Sequence, residues 1–266
     1  MPTAVITGSS SGIGASTANL FAERGWSVLL HGCRNLSGLQ QAAERACRAS
    51  HAGSQIVCVT ADVSHQQHCR QFVEFAFHRF GPIDAWINLA GADILTQELR
   101  CKSFEERLQE LWNVDVVGTI RLCRQVVEQM RDFQDHTMSI VNIGWDQSSL
   151  GMEGEPGQLF CPTKAAVAAF SQSLALTEAP HVRVNTVAPG WIRTAWGEQE
   201  ASDYWHRRAT TESLLNRWGT PLDVAETIFW LTSPAAAFIN GQTIAVNGGR
   251  RYSQPSPSNG SSQTQR

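Results

Sequence analysis

Two hydrophobic periods alternate along the chain. Short aliphatic runs bounded by glycine or polar residues, Ala4–Thr7 and Ser27–Gly32, predict buried strands, and the stretch between them, ending near Gly25, carries apolar residues at helical spacing. The alternation continues through the strand QIVCVTAD, a helix over about 64–80, the strand IDAWINLAG, a long helical region over about 104–131 and the strand SIVNIG. A helix over about 162–177, the strand VRVNTVAPG, a closing helix in LDVAETIFWLTS and a last strand in QTIAVNGG complete the series. Strands that alternate with helices of this length predict right-handed crossovers and a parallel sheet covered on both faces, an α/β fold.

Local signals refine the outline. Ser64-x-x-Gln67 has the spacing of a capping box and predicts a helix start just after Asp62-Val63. The segment from Ile192 to about Arg217, rich in Trp, Arg and Glu between two well-defined elements, is the expected lid over a pocket. From Ser253 onward the chain is dominated by Ser, Gln and Pro with no apolar period, which predicts a disordered tail over 253–266 and one domain over 1–252.

Composition narrows the function classes. A length of 266 residues suits one α/β domain, and a net charge of −3 with interspersed signs leaves no basic stripe to track a phosphate backbone, so nucleic acid is not an expected partner. No apolar run approaches the roughly 18 residues of a membrane span, and a strand begins directly after the first residues, so a soluble, cytoplasmic protein is expected, with no membrane partner. The seven cysteines are odd in number, scattered and without a C-x-x-C pair, and are expected to be reduced and mostly packed. His65, His68 and Cys69 share a helix start and are read as solvated side chains rather than metal ligands, so no metal site is expected.

The candidate chemistry begins at TGSSSGIG, Thr7 to Gly14, which follows a strand and opens a helix as a dinucleotide-binding loop must. Gly8 permits a tight turn, Gly12 lets the backbone approach a diphosphate and Gly14 allows close packing, while the helix N-terminus faces the anion. The candidate set in this loop is Gly8, Ser10, Ser11, Gly12, Ile13 and Gly14. After the second strand, His31-Gly32-Cys33-Arg34-Asn35 offers no carboxylate for a ribose 2′-hydroxyl, whereas Arg34 suits a 2′-phosphate; NADP(H) is therefore expected over NAD(H), the alternative being a solvated surface arginine. Asp62, followed by Val63, is read either as a receptor for the adenine amino group or as a helix cap.

Thr7-Gly8-x-x-x-Gly12-Ile13-Gly14, Asp62-Val63, Asn88-x-Ala90-Gly91, Lys164, Pro189-Gly190 and Val246-Asn247-Gly248-Gly249 together resemble the short-chain dehydrogenase/reductase family over about residues 4–250. The resemblance implies a seven-stranded, doubly wound Rossmann-type sheet, a nicotinamide cofactor, a homodimer or homotetramer, and oxidoreduction of a small-molecule carbonyl or alcohol substrate. It extends the cofactor contacts to Asn88, Ala90, Gly91, Pro189, Gly190, Ile192 and Thr194, and gives Lys164 the nicotinamide ribose.

The family's chemistry relies on an Asn, a Ser and Tyr-x-x-x-Lys, and here only Lys164 remains. Asp115-Val116-Val117-Gly118 puts an aspartate at the asparagine position, with Asn113 expected on a different helix face, and the tyrosine position holds Phe160. The serine's place falls to Trp145, Asp146 or Gln147, because the family's common thirteen-residue spacing reaches Gln147 whereas the strand end points to Trp145. Phe160 has no proton to give. The expectation is an oxidoreductase in which Asp115 lies near Lys164 and either Lys164 or Asp146 delivers the proton. Glu153 and Glu155 are read as solvated loop residues, and Trp191 and Trp196 either wall the substrate pocket or pack the lid. A non-catalytic NADP(H)-binding protein, a sensor or structural partner, is the alternative.

Overall fold

The computed structural model describes residues 1–94, 97–133, 135–194 and 201–251, and the expected tail and Trp196 lie outside the described residues. Seven parallel strands form one sheet in the order β3-β2-β1-β4-β5-β6-β7, with β1 Thr3–Ile6, β2 Ser27–Gly32, β3 Ile56–Thr60, β4 Ala85–Asn88, β5 Met138–Ile143, β6 Val182–Pro189 and β7 Thr243–Val246. The period of two along each strand decides which face a side chain enters. Ala4, Ile6, Val28, Leu30, Ile87 and Val141 pack on one face, and Val5, Leu29, Trp86 and Ile140 on the other. Both faces are buried, hence the nearly continuous apolar runs in the sequence.

Helices α1 (Gly12–Glu23) and α2 (Leu36–Ala49) cover the first face, together with a late helix over Pro221–Thr232, and α3 (Gln66–Phe80) shields the second. The hydrophobic pattern left α2 unassigned, although Leu39, Ala42 and Ala46 are its buried positions at helical spacing. A short α4 (Gln97–Arg100) precedes the region expected as one long helix. That region is α5 (Phe104–Leu111), a π-helical segment over Trp112–Gly118 and α6 (Thr119–Met130). α7 (Glu155–Glu178), α8 (Asp203–Glu212, within the expected lid) and α9 (Pro221–Thr232) complete the chain.

Three expectations are corrected. Ser64 does not cap α3: its amide and hydroxyl both donate to Asp62 Oδ1, at 2.9 and 2.7 Å, and His65 is the N-cap without a side-chain bond. The neighbouring aspartate captures Ser64 first, as short polar side chains do in turns. α7 starts at Glu155 rather than Pro162, because Gly154 at φ +83° and Pro156 in the first turn set the start, leaving Pro162 inside the helix. The cysteines are free, but Cys33, Cys47, Cys58 and Cys101 are exposed rather than packed, because they fall on outward positions of loops, α2 and the edge strand β3. Among the described residues no helix is long and apolar enough to cross a membrane and no side-chain cluster suits a metal.

Candidate active site

The sheet order reverses between β1 and β4, so the loops leaving their C-terminal ends face each other across a crevice, the usual ligand position in such sheets. Thr7 Oγ1 accepts the Leu89 and Ala90 amides, each at 3.0 Å, and ties the two loops together. Gly8 has φ +68°, and a Cβ there would stand 2.6 Å from Leu89 O; a Cβ on Gly14 would stand 2.1 Å from Gly8 O. At the start of α1, Ser11 makes no side-chain cap and the first turn holds no acid, so the helix dipole is open to an anion. A polar groove of about 1010 Å³ runs along it, lined among others by Ser10, Ser11, Gly12, Asn35, Arg45 and Thr194. These features fit a dinucleotide.

Behind the loop lies a residue that sequence reasoning passed over. His31 is 1% exposed and stacks on Phe72 at 4.8 Å; its Nε2 contacts Ala61 O at 3.0 Å, and its Nδ1 accepts the Gly8 amide at 3.4 Å. A neutral ring with Nε2 protonated satisfies both contacts, and burial holds the imidazole pKa down to about 4. The unfolded chain therefore binds a proton near pH 6.5 that the folded chain refuses. Stability is full above that pH and falls as pH drops from 6.5 toward 4. Between pH 7 and pH 5 the loss assigned to His31 is about 2 kcal/mol. Urea unfolding at the two pH values should show that extra loss in the parent and not in His31→Gln, which keeps a donor and an acceptor.

The other expected cofactor residues divide. Asn88 is corrected: its side chain accepts Trp86 Nε1 at 2.9 Å and donates to Asn142 Oδ1 at 2.8 Å and Cys123 Sγ at 3.2 Å, so it braces the sheet rather than facing the crevice. Arg34 projects into solvent but is ion-paired with Glu110 at 2.8 Å. Asp62 spends one oxygen on Ser64 and lies 3.2 Å from His65 Nδ1 with the other, while Val63 is buried against Gly118. Ala90 and Gly91 continue from β4, and a Cβ on Gly91 would come within 3.3 Å of Asp115 Oδ2. Pro189 ends β6, the Gly190 amide donates to Val246 O at 3.0 Å, Ile192 bridges to Gly219, and Thr194 borders both the polar groove and a second cavity.

That second cavity, of about 680 Å³, is the candidate substrate site, with Trp145, Phe160, Lys164, Trp191, Trp205 and Trp218 in its walls and Ile13, Gly190 and Thr194 on the cofactor side. Lys164 and Phe160 sit four residues apart on α7 and so share a face. Lys164 Nζ lies 2.8 Å from Asp115 Oδ2, the two side chains being 11% and 2% exposed. The Ala92 amide donates to Asp115 Oδ1 at 2.8 Å. Asp115 belongs to the π-helical segment, a distortion often found at functional sites, and Asn113 is turned to Gln109 at 2.9 Å.

The three-way ambiguity after β5 resolves geometrically. Trp145 meets Phe160 edge to face, ring centroids 6.0 Å apart, and both line the cavity. Asp146 instead accepts Asn247 Nδ2 at 3.0 Å, its other oxygen is buried and unpartnered, and burial raises its carboxyl pKa. Gln147 is buried, with Oε1 3.4 Å from Arg250. The 3-10 turn Asp146–Ser149 sends successive side chains in different directions, so Asp146 is turned to Asn247 behind Gly190 and is absent from the cavity lining, whereas Lys164 is paired with Asp115. Glu153 and Glu155 reach solvent but are ion-paired, with Arg208 and Arg107 respectively.

Comparison with known proteins agrees with this architecture. Residues 8–251 match the family model described as enoyl-(acyl carrier protein) reductase. The chain is 32% identical to 3beta-hydroxysteroid dehydrogenase 1 of Eggerthella lenta over 93% of its own length and 92% of the relative's. A short-chain type dehydrogenase/reductase from Mycobacterium ulcerans superposes with TM-score 0.84 at 27% identity, covering 94% of this chain and 90% of that one. An actinorhodin polyketide ketoreductase with NADPH superposes with TM-score 0.79 at 26% identity, covering 93% and 96%.

Proposed function

Since the chain belongs to the short-chain dehydrogenase/reductase family, we propose that it is an NADP(H)-dependent oxidoreductase of a carbonyl or alcohol substrate in which Lys164, rather than a tyrosine, handles the proton. The observation that carries this reading is the Lys164–Asp115 pair at 2.8 Å, in the wall of a cavity whose neighbouring positions hold Phe160 and Trp145. The turn Gly8–Gly14 and the open start of α1 would hold the diphosphate, Asp62 and Val63 the adenine, and Pro189 to Thr194 the nicotinamide end. Arg34 would release Glu110 to take a 2′-phosphate, and the absence of a carboxylate from His31 to Asn35 supports NADP(H). When bound, the nicotinamide supplies or accepts the hydride.

Lys164 has two tasks in this reading. Its ammonium hydrogen-bonds the ribose and the substrate oxygen, and in reduction it gives that oxygen a proton, which solvent then replaces. The buried Asp115, 2.8 Å away, fixes the direction of the ammonium. The tryptophan walls suit a large, flat, apolar substrate. The names of two similar proteins, a hydroxysteroid dehydrogenase and a polyketide ketoreductase, support that class. A cytoplasmic homodimer or homotetramer completes the proposal, on the family's habit.

A second reading is favoured by the apolar pair Trp145–Phe160 itself: a protein that binds NADP(H) without turnover. Phe160→Tyr separates the two. A positioned general acid is worth roughly 10²- to 10⁴-fold, so the variant should reduce generic ketones with NADPH about 10²-fold faster than the parent. No gain, with NADPH binding intact, favours either the second reading or a pocket specialised against generic ketones.

A further inference from the structure

One side chain outside the catalytic wall joins three parts of the cavity. Arg208 on α8 donates to both oxygens of Glu153, at 2.5 and 3.1 Å, and through Nε to Glu212 at 2.6 Å. Its guanidinium lies 5.8 Å from the Trp191 ring centroid and 5.4 Å from that of Trp205, both cavity walls. Trp191 in turn donates from Nε1 to Glu212 at 2.8 Å. Arg208 is 12% exposed at its side chain and Glu212 24%, whereas Glu153 is 71% exposed. The cluster thus has a sheltered inner half and a wet outer half.

The outer half is built to let go. Glu153 rides on a short loop between Gly151 and Gly154, at φ +80° and +83°, with nothing within 4 Å of a Cβ on Gly151. Met152, in the same loop, lines the same cavity as Trp191 and Trp205. An ion pair at the solvent edge is weak and salt-sensitive, whereas the i,i+4 bond to Glu212 travels with α8. Breaking the contact at Glu153 leaves the Arg208–Glu212 bond within α8 in place.

We propose that Arg208 is a specificity-determining clasp: its fork holds the Met152 loop against the tryptophan wall through Glu153, and release of that contact sets the width of substrate that enters. The inference rests on the cavity being the substrate site, and its first readout requires no substrate. Hydrogen exchange across 203–212 should rise about tenfold in Glu153→Gln and in Arg208→Lys, whose compact ammonium lacks the planar fork that reaches Glu153 with both terminal nitrogens while Nε holds Glu212. Glu153→Asp should recover most of the protection. Glu155→Gln, which breaks the neighbouring pair with Arg107, should leave α8 as in the parent. In 1 M NaCl the parent should approach the Glu153→Gln level, with unfolding midpoints alike.

The second readout is kinetic, in the Phe160→Tyr background. Opening the clasp should change KM for a bulky polycyclic ketone at least fivefold, with kcat and the KM of a small ketone within twofold. Unchanged α8 exchange in Glu153→Gln and Arg208→Lys would overturn the clasp while leaving the oxidoreductase reading intact. A rise spread evenly over the sheet would overturn it too, by making Arg208 a general stabiliser. Absence of NADPH binding with α8 exchange behaving as described would sink the functional reading, and with it the clasp's role in specificity, while leaving the mechanical contact between Arg208 and the Met152 loop.

Discussion

Asp115→Ala is expected to lose about 3–5 kcal/mol of folding stability, the usual result of leaving one charge of a buried ion pair without its partner. Lys164 would keep a nearly buried ammonium with no counter-charge, and the Ala92 amide would lose its acceptor. Lys164→Met alone leaves Asp115 in the converse state, still bound to Ala92, and should also destabilise. The double variant removes both charges. It should recover part of the loss, with a coupling of about 2 kcal/mol, since residues in direct contact are not additive. Urea unfolding of the four proteins measures the cycle. A coupling near zero would mean that the 2.8 Å contact is not maintained in solution.

Gly14→Ala should disrupt cofactor binding more than folding, for a different reason. The residue sits in α1 with ordinary helical geometry, so the alanine backbone is not strained; the difficulty is that its Cβ would stand 2.1 Å from Gly8 O. Gly8 cannot retreat, because its own Cα faces Leu89 O and its φ is +68°. The loop must therefore open, at a typical overpacking cost of roughly 1–3 kcal/mol. The open loop no longer presents its amides to a diphosphate. NADPH affinity should fall by about 100-fold or more, an energy of roughly 3 kcal/mol. Calorimetric titration checks the affinity and thermal unfolding the stability; near-parental affinity would show that the diphosphate is held elsewhere.

The parts of the fold legible in the sequence were those fixed by local rules. β2 falls on Ser27–Gly32 as the apolar run implied, and the glycine loop was readable because backbone conformation and close approach leave little choice of residue. What escaped was decided by competition between neighbours. Ser64 has capping spacing, but Asp62 takes both its donors; Pro162 looks like a helix start, but Gly154 and Pro156 act two turns earlier. Nothing in WNVDVVG announces a π-helical segment, since its wider turn is set by packing rather than propensity.

The site divided in the same way. Asp115 reaches Lys164, as expected of the altered site. Asp146 instead turns its carboxylate toward Asn247, one residue into a 3-10 turn. Asn88 looked like a cofactor contact from its motif, yet the buried amides and indole around it consume its hydrogen bonds. His31 carried no motif at all. Its role depends on Ala61 and Phe72, distant in sequence and brought alongside by the β2–β3 pairing and α3.

Every functional statement depends on a nicotinamide dinucleotide lying along the crevice between β1 and β4, with its reactive end beside Lys164. Titration of the folded protein with NADPH and NADH tests this most directly. The account predicts saturable binding of both, with NADPH tighter by about tenfold or more, the worth of one added charge-assisted contact at Arg34. Folded protein that binds neither nucleotide would contradict it.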